Sequence, residues 1–311
     1  MSAAGAHRPV LLKEAVDALT VQAGGIYLDG TFGRGGHSRE ILKRLGAEGK
    51  LLVLDRDPEA HAAALALAER DPRVAVHRAA FSGLERIAAE AGVSGRVNGV
   101  LLDIGVSSAQ LDDPRRGFSF TRSGPLDMRM DPGTGESAAG WLMRAPEQDI
   151  AAVIHEYGEE RHARRIAKAI VAARAAAPLT DTLQLAEIVS GAVPRHDRFK
   201  HPATRSFQAI RIFINRELEE LGSCLQQCLK VLAPAGRLAV ISFHSLEDRM
   251  VKRFMRDQSR LPAPDPKAPW LEPEGKPLLR VVGKAVHAGE AEVAENPRAR
   301  SAVLRVAEKL P

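Results

Sequence analysis

Cysteine is almost absent: the 311 residues contain two, Cys224 and Cys228, one helical turn apart. A pair without histidine or cysteine companions supplies neither a metal-ligand set nor a disulfide framework, so both read as small packing residues on a helix. No apolar run approaches membrane-spanning length, and the N-terminus lacks the apolar core of a signal peptide. The expected compartment is a reducing cytosol, with no membrane partner. Internal repeats are missing as well. The only biased tract is a set of six prolines between Leu261 and Pro277, which excludes a regular element and reads as a surface linker. A strong excess of one charge is missing too: a net +5 and an isoelectric point near 9.4 are compatible with a polyanionic partner without demanding one. What is present is ordinary for a soluble globular chain, 45% hydrophobic and 27% charged, and long enough for one large domain or two.

The chain is organised around residues 26–37. The apolar run Ile26-Tyr27-Leu28 reads as a buried strand stopped by Asp29, after which four glycines fall within seven residues, ahead of a helical pattern from His37 to Leu45. Glycine admits positive φ and lets backbone N–H groups approach a ligand, and the following helix N-terminus adds unpaired donors. Two nucleotide fingerprints fail here. The dinucleotide spacing G-x-G-x-x-G has Gly33 and Gly35, but Ser38 stands at its third position; the phosphate-cradling loop requires a lysine that does not follow. An acid followed by small residues at alternate positions (Asp29, Thr31, Gly33, Gly35) resembles the first motif of the S-adenosylmethionine-dependent methyltransferases of the Rossmann-like class, with Thr31 in place of its first glycine.

A second strand, Lys50 to Leu54, ends in Asp55-Arg56-Asp57-Pro58. An acid ending the second strand, roughly 20 residues past such a loop, grips a ribose through its hydroxyls. Asp57 precedes Pro58 and is read as the cap of a helix over 59–69, which leaves Asp55 as the ribose ligand. A third strand from Val74 leads to Phe81, and a fourth over 97–102 closes with Asp103-Ile104-Gly105. Strands alternating with helices predict an α/β fold with a doubly wound, mostly parallel sheet whose ligands sit at the strand C-termini, where Asp29, Asp55, Phe81 and Asp103 all fall. The alternation then stops. Residues 107–132 show no clear period, and helical patterns follow over 137–143, 147–157, 160–176 and 182–193. These predict an inserted all-helical domain over 107–214, between methyltransferase-domain parts 1–106 and 215–311. One long helix is expected from Ala203 toward Leu232, then a fifth strand over 237–243, a helix over 246–257, and final strands over 278–282 and 302–306.

By its motifs the chain resembles one family. Gly-Thr-Phe-Gly-Arg-Gly-Gly-His-Ser (30–38), Leu-Asp-Arg-Asp (54–57), Leu-Leu-Asp-Ile-Gly-Val-Ser-Ser (101–108), Gln-Leu-Asp-Asp (110–113) and Arg-Gly-Phe-Ser-Phe (116–120) carry the likeness in the first half. Pro-Leu-Asp-Met-Arg-Met (125–130), His-Pro-Ala-Thr-Arg (201–205), Ser-Phe-His-Ser-Leu-Glu-Asp-Arg (242–249) and Asn-Pro-Arg-Ala-Arg-Ser (296–301) extend it to the end. The family is the bacterial small-subunit ribosomal RNA methyltransferase H, and the likeness runs from near His7 to near Lys309. It implies a class I methyltransferase that uses S-adenosylmethionine to methylate N4 of a decoding-centre cytidine in 16S rRNA, within the small ribosomal subunit, with a homodimer as a further expectation. It implies that Gly35, Gly36, His37, Asp55, Phe81, Asp103 and Gln110 contact the cofactor, and that the helical insertion recognises RNA. The rival readings are a small-molecule or DNA methyltransferase and a non-catalytic rRNA-binding assembly factor that keeps the cofactor as a ligand.

Methyl transfer to the weakly nucleophilic cytosine N4 asks for in-line placement and an acceptor facing the N4 hydrogens. The Asp/Asn/Ser-Pro-Pro-aromatic motif of many amino-methyltransferases is replaced here by Asp103-Ile104-Gly105-Val106. Asp103 is therefore the candidate catalytic residue and equally a candidate acceptor for the cofactor's ammonium, which the family likeness favours. His244, ending the fifth strand, reads as a hydrogen-bonded residue orienting a turn rather than a proton carrier. Asp112, Asp113, Asp127 and Asp131 sit among turn residues and read as loop caps and arginine partners, so no metal site is expected. For RNA, Arg195, Arg198, Phe199, Lys200 and Arg205 combine phosphate-binding cations with an aromatic that can stack on an unpaired base. Arg161, Arg164, Arg165 and Lys168 share a helical face and are either a second contact surface or a solvated face paired with Glu159 and Glu160.

Overall fold

The structure is a computed structural model that describes residues 9–194, 201–261 and 275–311. The described chain divides into two compact units, Met1–Gly105 with Leu218–Pro311, and Val106–Glu217. In chain order the first unit begins with α1 (Leu12–Ala18), β1 (Ile26–Asp29), α2 (Gly36–Arg44), β2 (Lys50–Asp55), α3 (Pro58–Ala68), β3 (Val74–Arg78), α4 (Leu84–Glu90) and β4 (Val97–Asp103). The second unit consists of α5 (Ser108–Asp112), α6 (Ala138–Arg144), α7 (Glu147–Gly158), α8 (Ala163–Ala176), α9 (Thr182–Ala192) and α10 (Thr204–Asn215). The first unit then resumes with α11 (Glu217–Val231), β5 (Leu232–Ser242), α12 (Ser245–Gln258), β6 (Leu279–Val281), β7 (Val286–His287), α13 (Glu290–Glu295) and β8 (Val303–Lys309).

The sheet runs β3-β2-β1-β4-β5-β8-β6, with β7 also on β8. The first five are parallel neighbours; β8 is antiparallel to β5, and β6 and β7 are antiparallel to β8. Because side chains alternate along a strand, each apolar run serves both faces. Leu28, Leu52, Leu54, Val100, Leu102 and Val240 point to a core shared with Leu84 and Ile87 of α4, with Leu221, Cys224, Leu225 and Cys228 of α11, and with Val251 of α12. Tyr27, Leu51, Val53, Leu101, Ala239 and Ile241 face Val16 of α1, Ile41 of α2 and Ala64 of α3. Cys224 and Cys228 are both buried free thiols that pack, as their spacing predicts. The order of β1 between β2 and β4 places the ends of β1 and β4 side by side, at the topological switch where open α/β sheets bind ligands.

The second unit has its own core, built from Trp141 and Leu142 of α6, Ile150 and Ile154 of α7, Ile166 and Ile170 of α8, Leu185 and Val189 of α9, and Phe207 and Ile210 of α10. Its long first loop is held by side chains. Asn215 accepts from Met130 N–H (2.7 Å) and donates to Met128 C=O (2.8 Å), and the Arg116 guanidinium donates to Met130 C=O (2.8 Å). Asp113 and Asp127 form two-point ion pairs with Arg115 and Arg129.

Several boundaries differ from the sequence reading. The single long helix expected after Ala203 is two, because Arg216 takes a left-handed φ of 51° that stops α10 before α11 begins. α8 starts at Ala163, not Glu160, since Glu159 is also left-handed (φ 50°) and closes α7. α5 lies in the stretch that shows no period. It is too short for periodicity, but its signal is present as a capping box between Ser107 and Gln110. Among the described residues no helix is long and apolar enough to cross a membrane.

Candidate active site

Four strand ends converge at one edge of the first unit. Asp29 ends β1, Asp55 ends β2, Phe81 follows β3 and Asp103 ends β4. The loop after β1 is stitched to both neighbours: Gly30 N–H donates to Leu101 C=O (3.0 Å), and Phe32 N–H donates to Leu54 C=O (3.1 Å). Asp29 is buried and accepts from Ser38 Oγ–H (2.6 Å) and Thr31 N–H (3.1 Å), while Thr31 Oγ1 accepts from Asp103 N–H (2.6 Å). Burial pushes the Asp29 carboxyl above its ordinary range against these bonds, which favour its charge. This network fixes the turn before any ligand arrives. Thr31 and Ser38 both belong to it, and the sequence reading did not select either. A signal existed for Ser38, a polar residue on the buried face of an amphipathic helix.

Asp55 joins the loop to the end of β2. Its Oδ2 accepts from Gly33 N–H (2.9 Å) and its Oδ1 from Asp57 N–H (2.9 Å). The residue read as having no structural employment therefore has one, and each oxygen keeps a second lone pair for a ribose hydroxyl. Burial, with the nearby Asp57 and Asp29 charges, raises its carboxyl to about 6. Asp57 caps α3, accepting from Glu59 N–H (2.8 Å) with Pro58 at the first helical position.

The glycines divide by function. Gly33 has a φ of 55° and an open side, where a Cβ would come no nearer than 3.9 Å to Thr31 O, so its backbone is approachable from outside. Gly36, in contrast, lies so close to Pro9 that a Cβ would stand 2.0 Å from its Cγ. Gly35 caps α2 with a φ of 72° beside the Phe32 ring. Packing within the chain is enough to demand glycine at 35 and 36. Phe81, partly buried, lies beside Gly30.

His37 and Asp103 complete the edge. His37 is buried on α2, its Nε2 3.1 Å from Val10 C=O and its Nδ1 3.6 Å from Asp103 Oδ2. Asp103 Oδ1 is buried and has no hydrogen-bond partner among the described residues. Burial first, then the charges of Asp29 and Glu247, push the Asp103 carboxyl up to about 8. An orphaned buried acceptor is costly unless a donor arrives, and an ammonium group is the donor with matching charge. The donor set thus fits the cofactor implied by the motifs: Asp103 with His37 for an ammonium, Asp55 for ribose hydroxyls and the Gly33 backbone between them.

The other selected residues lie elsewhere. Gln110 is in the second unit, its side-chain oxygen accepting from Ser107 N–H (2.9 Å) at the start of α5. His244 caps α12. Its Nδ1 faces Glu247 N–H at 3.5 Å, and Glu247 Oε2 accepts from Phe243 N–H (2.8 Å), which matches the turn-orienting reading. Arg205, near the start of α10, donates to Glu159 C=O (3.2 Å) and lies 3.9 Å from Glu160. Arg195, Arg198, Phe199 and Lys200 fall outside the described residues.

Comparison with known proteins gives one family and a relative of high identity. The MraW methylase family matches residues 4–310. A protein of Thioalkalivibrio sulfidiphilus (strain HL-EbGR7) called Ribosomal RNA small subunit methyltransferase H is 62% identical over 312 residues, covering 99% of this chain and 98% of that protein. Among solved structures, an rRNA methylase from Streptococcus thermophilus is 10% identical with a TM-score of 0.44, covering 98% of this chain and 100% of its own. Aeropyrum pernix fibrillarin in complex with natively bound S-adenosyl-L-methionine is 10% identical with a TM-score of 0.41, covering 95% and 73%.

Proposed function

This chain belongs to the MraW methylase family, and we propose that it transfers a methyl group from S-adenosylmethionine to N4 of a decoding-centre cytidine in 16S rRNA. The observation that carries the reading is full-length identity of 62% with a small-subunit rRNA methyltransferase. The strand-end geometry supports it independently, since Asp103, one of whose oxygens is buried without a donor among the described residues, suits the ammonium of this cofactor.

Bound S-adenosylmethionine supplies an electrophilic methyl group, whose displacement depends above all on placement. Asp103, with His37 beside it, would hold the ammonium, and Asp55 would hold the ribose hydroxyls while keeping the Gly33 turn in place. Gly35, Gly36 and Phe81 shape the same edge, and Gln110 is assigned to the cofactor by family likeness alone. Asp103 as acceptor for N4 rests on its place at the end of β4. The RNA is assigned to the helical second unit, with Arg195, Arg198, Phe199, Lys200 and Arg205 as contacts. The assembled small subunit as substrate and a homodimeric enzyme belong to the same proposal.

The test is methyl transfer from labelled S-adenosylmethionine to 16S rRNA in small-subunit particles, followed by nucleoside analysis. Label in N4-methylcytidine is expected. Label confined to a ring carbon, ribose or protein refutes the site of transfer; tight rRNA binding with no transfer establishes the assembly-factor reading instead.

A further inference from the structure

The second unit carries four cations that form no ion pair with a carboxylate among the described residues. α8 buries Ala163, Ile166, Ala167 and Ile170, and leaves Arg164, Arg165 and Lys168 exposed, with Arg161 exposed in the turn before it. The neighbouring acids that would pair with a merely solvated face are Glu159 and Glu160. Glu160 is turned inward: it is 6% exposed, one oxygen accepts from His162 N–H (2.9 Å), and the other faces Arg205 at 3.9 Å. Among the described residues none of Arg161, Arg164, Arg165 and Lys168 forms an ion pair.

Their position is also unfavourable for stability. Cations are disfavoured at the positive end of a helix, where acids are the usual residues, yet the first turn of α8 has no acid and contains Arg164 and Arg165. Neither packing nor pairing explains that choice. A local rule broken without a compensating contact marks a functional surface. Guanidinium forks at adjacent positions suit phosphate oxygens in two-point contacts.

We infer that the face formed by Arg161, Arg164, Arg165 and Lys168 is a docking surface for the phosphate backbone of RNA. The inference rests on the proposed rRNA substrate and adds a contact surface apart from the 195–205 cluster. Arginine and lysine here act on backbone charge, so the face contributes affinity and salt dependence rather than sequence choice.

The test uses full-length protein and unmodified 16S rRNA transcript in filter binding at several salt concentrations, with methyl transfer measured in parallel. In the triple variant Arg164→Ala, Arg165→Ala, Lys168→Ala, the slope of log affinity against log salt should fall by about 2, at roughly 0.7 per single-strand contact. Affinity at low salt should drop at least about tenfold, in keeping with three lost contacts. The charge-reversed Arg165→Glu should weaken binding further than Arg165→Ala, and Arg164→Lys with Arg165→Lys should keep most of the slope. Cofactor affinity of every variant should equal that of the wild type, which also certifies folding. Wild-type slope and affinity in the triple and charge-reversed variants would overturn this inference and leave the methyltransferase reading standing. A wild-type protein that binds cofactor but neither binds nor methylates 16S rRNA would overturn that reading, and this inference with it.

Discussion

His37 Nδ1 on α2 stands 3.6 Å from Asp103 Oδ2 at the end of β4. The Val10 carbonyl, 3.1 Å from Nε2, can only accept, so Nε2 carries a hydrogen. The 3.6 Å separation is too long for a direct hydrogen bond. Asp103 Oδ1 lacks a donor among the described residues, so the end of β4 suits a third group with N–H donors and a positive charge. An ammonium has both.

Cofactor binding should therefore release a proton. The free protein holds Asp103 protonated at neutral pH, its carboxyl raised to about 8, whereas an ammonium stabilises the ionised form. Affinity for S-adenosylmethionine should rise up to about tenfold per pH unit between pH 6 and 7.5, before the ligand's own amine deprotonates. Asp103→Asn should abolish the slope. Calorimetry in buffers of different ionisation enthalpy reads the released proton directly, and a flat profile would count against the ammonium assignment.

Stability of the ligand-free protein should show the opposite trend. Asp55 and Asp103 have folded values raised to about 6 and about 8, above the unfolded value of 3.8. The folded state binds more protons between these limits, so their contribution is fully present below pH 4 and is lost as pH rises through 6 and then 8. Denaturant midpoints of wild type should decline over that window more steeply than those of Asp103→Asn. Parallel curves would remove Asp103 from the account.

Asp55→Ala deletes the acceptor for the ribose hydroxyls and for Gly33 N–H together. Cofactor affinity should fall by on the order of 1.5–3 kcal/mol, as expected for charge-assisted bonds. Asp55→Asn should not rescue it, because its amide N–H₂ would face a backbone N–H of Gly33 or Asp57. Titration calorimetry decides, with unchanged affinity in the alanine variant as the contrary result.

Ser38→Ala removes the shortest bond to the buried Asp29 carboxylate, at 2.6 Å. An under-satisfied buried acceptor costs roughly 1–3 kcal/mol, so the urea midpoint should drop while the slope stays constant. Ser38→Thr should be milder if the hydroxyl reaches the same oxygen.

Asn215→Ala tests the second unit. It strips partners from Met130 N–H and Met128 C=O, both buried, in a loop where Met128 is held at a φ of 61°. A loss of roughly 2–4 kcal/mol is expected, about 1–3 for each stranded group with partial relaxation. Chemical denaturation of wild type and variant measures it.

Much of the first unit was legible because its signals are local. Ile26-Tyr27-Leu28 against Asp29, Lys50–Leu54 against Asp55, and Val97–Leu102 against Asp103 each combine a buried strand with a stop. Period-two alternation then puts Leu28 and Tyr27 on opposite faces with no further information. Capping was equally readable: Asp57 before Pro58, and Asp181 before α9, each accept from the helix N-terminus. Arg216 was not readable. Nothing in its side chain asks for a left-handed φ, and periodicity runs through it unbroken. Met128 and Glu159 escaped for the same reason.

The sequence by itself determined the parallel strands of the first unit, where the acids fall at their ends, and which family the motifs resemble, since all of these depend on neighbours a few positions apart. Tertiary structure decided how those acids are used. Asp55 proved to anchor Gly33 across 22 residues, and Asp29 to hold Ser38 of the next helix. Asp103 Oδ1 was left without a donor among the described residues, near His37, 66 residues earlier in the chain. Glu160 was drawn inward, and among the described residues Arg164, Arg165 and Lys168 of α8 have no ion pair. Such pairings depend on which buried group finds a partner once solvent is excluded, and that cost is assigned only when distant segments pack.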